Sequence, residues 1–348
     1  MPMSKRLQIF VVAVVVTASV LLAQEGTAPR ERFERAMALH DSGDYEAAIA
    51  IYKQLLTAMP GNEQIEYELT FSTFAKGDMA ETVRLATEGA SKAGPNQVHY
   101  LELLGNAYDN LNRTREAIDA YRRGIKIEPR DARIRFNLGV AYVRQGKLRD
   151  GRDAFQRAIE LDPSYASPQY AMANLYRDDG YRVPAILAYG RFLSLEREGQ
   201  RAMAAAKSLR ELINYGVKAE GQGNVNITID PKPKKDLGDF SALEMMAALA
   251  AGASHLPENQ QSSEFDREAD TLSLFLTMLS ESASDNRRGF VAKTYVPFYA
   301  AMVKAGQSVT FAHVALSPLQ LDGTGEWLPA HSAEVTALDE WLRGTTAK

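Results

Sequence analysis

The chain has 348 residues, of which 45% are hydrophobic and 24% charged, and its formal net charge is −4. A chain of this length favours two or three structural units, and this composition excludes wholesale disorder. The small negative charge gives no support for a nucleic-acid partner. The absence of cysteine excludes disulfides, thiolate metal sites and a cysteine nucleophile.

Residues 1–23 have the layout of a secretory signal peptide. Lys5 and Arg6 precede an uncharged, mostly apolar run from Leu7 to Ala23, which is the order that export signals use. The run is also about the shortest length that can span a bilayer. We therefore expect an exported protein, periplasmic or secreted, with an uncleaved N-terminal membrane anchor as the alternative.

From Pro29 onward the sequence follows a spacing of 34 residues. The stretch LLGNAYDNLNRTREAIDAY at 103–121 and the stretch NLGVAYVRQGKLRDGRDAF at 137–155 share few letters, but small and aromatic residues recur 137 − 103 = 34 positions apart. Five such segments begin near Pro29, Glu63, Val98, Ala132 and Ala166. One column holds Asn112 in the third segment and glycine in the others: Gly43, Gly77, Gly146 and Gly180.

This frame resembles the tetratricopeptide repeat over about residues 29–215. The resemblance implies about five pairs of antiparallel helices, in which small residues allow close approach and aromatic residues fill the remaining space. The glycine column would lie at the turn between the two helices, where the backbone takes a positive φ that asparagine also tolerates. The second segment is degenerate, because Thr70 and Ala86 stand where packing residues belong. The stretch 199–216 follows in register and predicts a terminal helix that gives the repeats a polar end.

The resemblance also implies a concave groove lined by the first helix of each pair. The second, fifth, ninth and twelfth residues of each segment should face it. The candidate peptide-binding residues at these positions are Phe33, Met37, Tyr67, Phe71, Phe74, Asn106, Arg133, Phe136, Tyr170, Asn174 and Arg177. His40 and His99 occupy the same columns. The aromatic members predict an exposed stripe for a protein or peptide partner, and the asparagines offer a donor and an acceptor to an extended backbone. The alternative is a stripe covered by the chain's own C-terminal part.

One specific ligand is disfavoured. Some tetratricopeptide domains hold a free C-terminal carboxylate with asparagines and basic residues on successive helices, and Asn106 and Asn137 match the asparagines. Glu102, Ser167 and Ala171 stand where the cations should be, so a carboxylate would meet a like charge at Glu102.

Residues 216–238 predict a Gly/Pro-rich linker that contains one short strand, VNITID at 225–230. Pairing of this strand within a local sheet or between copies is left open. Residues 239–348 predict a compact, mainly helical C-terminal domain outside the 34-residue frame. The expected fold class is therefore all-α: a tetratricopeptide-type α-solenoid of helix hairpins, followed by a small helical domain with one short strand.

Three local signals mark helices of the C-terminal domain. Ser241 and Glu244 predict a capping box at the start of a helix. Pro297 predicts a kink or break within another. A buried face is predicted between them by Phe265, Leu272, Phe275, Leu276 and Leu279.

Motifs for catalysis are not found. The five histidines are scattered, and the sequence contains no nucleophile-elbow serine, phosphate loop or dinucleotide glycine pattern. We predict no catalytic residue, no cofactor and no metal site. The expected function is a non-enzymatic scaffold or adaptor of the cell envelope that binds a peptide or protein segment in the concave groove. The alternatives are a structural or self-assembling envelope protein that uses the C-terminal domain, and an enzyme with its site in that domain. The partner's identity and any homo-oligomer are left open, and membrane contact is expected only through an uncleaved N-terminal segment.

Overall fold

Helices account for most of the structure, a computed structural model that describes residues 29–221, 224–228, 237–256, 259, 261–282 and 289–346. The predicted signal segment, residues 1–23, lies outside the described residues. Within the described part of the chain, no helix is both long and apolar enough to cross a membrane. The chain divides into two compact units, unit 1 up to Arg130 and unit 2 from Asp131 onward. The domain boundaries expected from the sequence stay a prediction.

The described part of unit 1 contains three helix hairpins, one for each of the first three repeats. Its helices are α1 (Pro29–Asp41), α2 (Tyr45–Ala58), α3 (Glu63–Lys76), α4 (Met79–Ser91), α5 (Gln97–Asn110) and α6 (Thr114–Ile127). Two of the second helices begin at an aspartate cap: Asp44 accepts a hydrogen bond from the backbone N–H of Ala47, and Asp78 accepts one from that of Glu81. The predicted all-α repeat architecture is confirmed.

The glycine column lies at the turn between the helices of each pair, as predicted. The backbone there is left-handed, with φ of 85° at Gly43, 91° at Gly77, 72° at Gly146 and 75° at Gly180. Asn112 takes the same conformation with a φ of 58°. Glycine and asparagine adopt this region at little cost, so the column is kept for its backbone geometry.

The small residues of the frame lie directly under its aromatic residues. A β-carbon on Gly105 would lie 2.3 Å from the ring of Tyr121, and one on Gly139 would lie 2.5 Å from the ring of Phe155. Real β-carbons do not approach so closely, so the small residue and the ring form one packing unit within each hairpin.

Unit 2 begins with the remaining repeats and ends with a group of shorter helices. The repeat helices are α7 (Ala132–Arg144), α8 (Leu148–Leu161), α9 (Ala166–Asp178), α10 (Arg182–Leu193) and α11 (Gly199–Ile213). A hairpin follows, formed by β1 (Val217–Gly221) and β2 (Asn224–Ile227). The later helices are α12 (Ser241–Ala253), α13 (Glu264–Glu281), α14 (Phe290–Lys304), α15 (Ser308–Leu316), a 3₁₀ turn (Ser317–Leu319), α16 (Thr324–Ala330) and α17 (Ser332–Thr346).

The prediction of a single strand is wrong, because two strands pair with each other. β1 and β2 are antiparallel, with Val217 opposite Ile227 and Lys218 opposite Asn226. The sequence of β1, VKAEG, is poor in β-branched and aromatic residues, so propensity did not mark it as a strand. β2 falls within the predicted VNITID stretch and ends at Ile227, and residues 229–230 of that stretch lie outside the described residues.

The C-terminal helices pack directly on the last repeat helices. The buried hydroxyl of Tyr295 donates to Oε1 of Gln169 at 2.8 Å, and that of Tyr299 donates to the carbonyl of Leu187 at 2.7 Å. All residues of α10 from Val183 to Leu193 are buried as a result. One continuous hydrophobic core therefore runs from the repeats into α17.

The expectation that α11 forms a polar end is wrong. Its Ala202, Ala205 and Leu209 are fully buried in the unit 2 core. Among its charged residues, Arg210 contacts α13: its Nε lies 2.9 Å from Glu268 and its Nη2 lies 2.5 Å from Glu264. The helix follows the repeat frame as predicted, but the C-terminal helices cover it.

The three local signals in the C-terminal region had different outcomes. The Ser241 hydroxyl donates to Asp239, and α12 has no side-chain cap, so the predicted capping box is wrong. α14 continues through Pro297 without a break. The buried face predicted for α13 is confirmed: Phe265, Leu272, Phe275, Leu276 and Leu279 are all buried. Apolar periodicity was therefore a better guide here than single-residue signals.

Candidate functional site

Four aromatic rings from three first helices form a row in unit 1, here called the aromatic row. His40 of α1 stacks on Phe71 of α3 with ring centroids 4.7 Å apart. Phe71 lies parallel to Tyr67, one helical turn away, at 6.2 Å, and Tyr67 lies 5.8 Å from His99 of α5. The structure thus brings the groove columns of three repeats together.

The aromatic row includes exposed apolar surface. Phe71 is 37% exposed, and Met37, one helical turn before His40, is 40% exposed. Phe33 and Phe74, which the sequence also assigned to the groove, are half-buried and pack against the unit 1 cores. The predicted stripe is therefore divided between rings that support the fold and rings that face solvent.

A hydrogen bond holds the histidine at one end of the row. His40 Nδ1 lies 2.8 Å from the hydroxyl of the fully buried Ser72, and its ring also meets the edge of Tyr45 at 5.2 Å. These contacts fix the plane on which Phe71 stacks. Fixed rings lose little conformational freedom on binding, which favours a preformed binding surface.

The two predicted groove asparagines support the helix pairs from within. The Tyr121 hydroxyl donates to Oδ1 of Asn106 at 2.7 Å, and the Tyr189 hydroxyl donates to Oδ1 of Asn174 at 2.7 Å. The amide of Asn174 donates in turn to the carbonyl of Tyr170 at 3.0 Å. The acceptor atoms that a partner backbone was expected to use are therefore already engaged by buried tyrosines.

In unit 2 the predicted aromatic residues are half-buried. Phe136 packs 5.6 Å from Phe155, and Tyr170 packs 4.9 Å from Phe192. The guanidinium of Arg201, on α11, lies 5.7 Å above the Tyr170 ring. Cation–π contacts of this kind add a polar cover to an aromatic surface.

The two predicted cations of the groove, Arg133 and Arg177, are exposed. Arg177 borders a cleft of about 380 Å³, which lies within unit 2 between α9, α11 and the hairpin. Its Nη1 donates to the Ser208 hydroxyl at 3.1 Å. The other lining residues include Glu211, Leu212, Tyr215, Thr228 and Glu244. The volume is in the range of small-molecule sites.

Arg182 forms part of the wall of this cleft and also caps a helix. It donates to the carbonyls of Leu212 and Ile213, each at 2.8 Å, at the C-terminus of α11. Burial lowers the pKa of Arg182, while Glu244 and Tyr215 oppose that shift. Sequence reasoning missed the cleft, because Thr228 reaches it only through the unpredicted pairing of β1 with β2.

A Ser–Asp–His cluster in unit 2 lacks the order that a nucleophile needs. The Ser263 hydroxyl donates to Asp266 at 2.7 Å, and His313 Nε2 lies 3.1 Å from the other oxygen of Asp266. The carboxylate stands between serine and imidazole, so the histidine cannot take the serine proton. His313 also stacks on Trp327 at 4.0 Å, which is a packing role. Among the described residues, no group of three potential ligands could hold a metal ion.

Comparisons with known proteins agree on the repeat. Models of the tetratricopeptide repeat match residues 32–62 and residues 102–166. No curated protein gives a significant match.

Several solved structures are similar over about half of the chain. The crystal structure of MamA is 21% identical and covers 46% of this chain and 93% of its own, with a TM-score of 0.42. MamA from Desulfovibrio magneticus RS-1 is 20% identical over 49% and 97%, with a TM-score of 0.43. TTC0263, a thermophilic tetratricopeptide protein of Thermus thermophilus, is 18% identical over 52% and 99%, with a TM-score of 0.45.

The matching segments lie on helix hairpins with the left-handed turn, the small residue and the ring in place. Proteins of this class generally act as protein-interaction modules and are usually non-enzymatic scaffolds. The chain therefore contains tetratricopeptide repeats, which the family models match at residues 32–62 and 102–166.

Proposed function

We propose that this protein is a non-enzymatic scaffold that binds an extended segment of another protein along the aromatic row of unit 1. The observation that carries the proposal is the row itself: four rings in contact, with Phe71 and the adjacent Met37 more than a third exposed. Aromatic and methionine side chains are enriched in protein interfaces, and contiguous exposed apolar surface marks interaction sites.

The spacing of the row suits an extended chain. Consecutive ring centroids lie 4.7, 6.2 and 5.8 Å apart. Side chains on one face of an extended segment recur every two residues, about 6.6 Å. Alternate side chains of the partner can therefore each meet one ring. Apolar and aromatic partner side chains would gain most, because flat faces and a flexible methionine offer them contact area.

The asparagines have a supporting part in this proposal. Because Oδ1 of Asn106 accepts from Tyr121, the amide fixes the α5–α6 pair that presents His99. Recognition of the partner backbone then rests on other polar groups, and the aromatic row supplies the affinity.

We place the protein in the cell envelope or outside the cell. The support is the cationic flank and apolar run of residues 5–23, together with a chain that has no cysteine to oxidise. N-terminal sequencing of the protein from its native host tests this: a mature end close after Ala23 supports export with cleavage. A retained N-terminus in the membrane fraction indicates the anchor, and a retained N-terminus in the cytoplasmic fraction contradicts both.

The binding function is tested by selecting displayed random peptides against the full chain and measuring the affinity of the best sequences for variants. Phe71→Ala should weaken binding at least tenfold, since burying a phenylalanine side chain is worth about 1.5–3 kcal/mol. The matched control is Leu111→Ala, which removes a side chain that is 39% exposed in the same unit but lies at a turn. The control should bind as the parent does. Equal affinities for the two variants, or no enrichment of any sequence, would refute the proposal.

A further inference from the structure

Two carboxylates lie beside the exposed end of the aromatic row. Asp41 follows Met37 by one helical turn on α1, and Glu68 precedes Phe71 by about one turn on α3. Asp41 is exposed and Glu68 is half-buried. Because the charge of Asp41 acts on Glu68 from the neighbouring helix, the two carboxylates face the same space, here called the acidic corner.

The negative charge of the acidic corner is not offset within the described chain. Burial raises the pKa of the Glu68 carboxyl, and the charge of Asp41 raises it further. Among the described residues, neither carboxylate forms a hydrogen bond or an ion pair with a lysine or an arginine. An ionised carboxylate in this position therefore lowers the stability of the free protein, and a cation brought by a partner would remove that cost.

The basic residues nearest to the corner are directed elsewhere. Arg30 and Lys76 each pair with another glutamate, at 2.8 Å and 2.6 Å. Arg32 donates to a side chain of α2 at 2.6 Å. Arg35 precedes Met37 by two positions (37 − 35 = 2), which places it on the opposite side of α1. The field at the corner is therefore negative.

A buried hydroxyl lies at the floor of the acidic corner. Tyr52 of α2 is fully buried, and among the described residues its hydroxyl has no hydrogen-bond partner. Burial raises the pKa of this hydroxyl, and Glu68 and Asp41 raise it further, so it lies close to both carboxylates. The next residue of α2, Lys53, interacts electrostatically with Glu81 of α4. The corner thus combines two uncompensated charges with an unpartnered polar group.

A basic side chain of a protein fits this combination. Lysine and arginine have a long apolar stem that packs on apolar surface while the charged head reaches polar groups. Phe71 and Met37 offer such a surface, and the carboxylates one turn away would accept charge-assisted hydrogen bonds from the head. A metal ion fits less well, because among the described residues no three potential ligands converge.

We propose that the segment bound along the aromatic row carries a lysine or an arginine, whose stem packs on Phe71 and Met37 and whose charge lies in the acidic corner. The inference rests on the proposed function and adds the chemistry of the partner at one position. Charge complementarity of this kind selects among partners and fixes the register of a bound segment.

The test begins with displayed random peptides selected against the full chain. The enriched sequences should share one position that holds lysine or arginine. In the best sequence this residue is replaced by methionine, which keeps an apolar stem without the charge. Calorimetric titration should then show an affinity weaker by about fivefold or more.

A second change places the effect at the corner. Glu68→Gln should weaken the basic peptide about as much as the loss of the peptide's own charge does, and should affect the methionine peptide by less than about twofold. The matched control is Glu128→Gln, which removes the same charge from an exposed position at the end of α6 and should bind both peptides as the parent does.

Stability separates a charge effect from damage to the fold. The folded pKa of Glu68 is raised, so its ionised form costs stability above that pKa, and the cost disappears as the pH falls below the unfolded value. Glu68→Gln should therefore be at least as stable as the parent near pH 7 in denaturant unfolding. Should this variant fail to fold, Asp41→Asn carries the same binding expectation from the exposed side of the corner.

The outcomes distinguish this inference from the function on which it rests. Absence of any enriched sequence refutes the proposed function, and the inference with it. Enriched sequences without a shared basic position overturn the inference alone. Equal weakening of the basic and the methionine peptide by Glu68→Gln, or no weakening of either, also overturns it while peptide binding stands.

Discussion

The hydroxyl of Tyr121 donates to Oδ1 of Asn106 across the third helix pair, and Tyr189 repeats the contact with Asn174 in the fifth, both at 2.7 Å. In the fourth repeat both partners are replaced together. The ring is Phe155, which has no hydroxyl, and the asparagine position holds Val140 (140 − 106 = 34), which has no acceptor. The third, fourth and fifth repeats therefore either keep both polar partners or lose both.

Removing one partner of this pair should cost more than removing both. Asn106→Val leaves the Tyr121 hydroxyl buried without its acceptor, which costs about 1–3 kcal/mol. The double variant Asn106→Val with Tyr121→Phe recreates the fourth repeat and should lie within about 1 kcal/mol of the parent. Denaturant unfolding of the parent, both single variants and the double variant measures the coupling. Purely additive losses would show that the contact contributes nothing.

Tyr52 gives the opposite case. It occupies the ring column of the first repeat opposite Met37, and among the described residues its buried hydroxyl has no hydrogen-bond partner. Burial also raises the pKa of Tyr52. Tyr52→Phe should therefore leave the free energy of unfolding unchanged or raise it, whereas Tyr121→Phe should lower it by about 1 kcal/mol. Equal losses for the two variants would contradict this assignment.

Gly105 is required by the ring above it. Gly105→Ala places a β-carbon 2.3 Å from the ring of Tyr121. The atoms that it meets belong to a buried ring and not to the flexible end of a long side chain, so they cannot easily move aside. Overpacking of this kind costs about 1–3 kcal/mol, more than the gain in helix propensity. The control is Gly344→Ala in α17, where the added carbon meets nothing within 4 Å. Thermal unfolding should show a lower midpoint for the first variant only, and a stabilised Gly105→Ala would refute the packing unit.

Asp266 should make stability depend on pH. Burial alone would raise its pKa, but hydrogen bonds from Ser263 and His313 outweigh burial and hold the pKa below its usual value. The stabilisation is therefore present above the unfolded pKa, about 3.9, and is lost as the pH falls through the lower folded value. Asp266→Asn should be less stable than the parent near pH 6, and the difference should narrow below about pH 4. The exposed Asp119→Asn is the control. A pH-independent difference for Asp266→Asn would contradict the charge effect.

The repeat part of the fold could be predicted because its constraints are local. Each left-handed turn needs glycine or asparagine, so Gly77 and Asn112 marked turns without knowledge of the fold. Because these turns recur about every 34 residues, the helix pairs on either side of them could be placed as well. The groove columns assigned from the repeat spacing include Phe71 and Tyr67, whose ring centroids lie 6.2 Å apart in the structure. Whether those columns bind a segment stays a prediction.

The rest depended on contacts between distant residues. Tyr295 and Gln169 lie 126 positions apart, so no periodicity indicates that α14 packs on the repeats. The β1 strand exists because β2 pairs with it, although its own letters do not favour extension. The contact of Asn106 with Tyr121 was missed for the same reason, because the two residues lie on different helices of the pair.

The most direct test of the central claim is photo-crosslinking in the native host, with a benzophenone amino acid placed at Met37 or at Leu111. The two side chains are 40% and 39% exposed, and only Met37 adjoins the aromatic row. We predict a discrete protein adduct from position 37 that disappears with Phe71→Ala, and none from position 111. The same adducts from both positions, or an adduct from position 37 that persists with Phe71→Ala, would contradict the account.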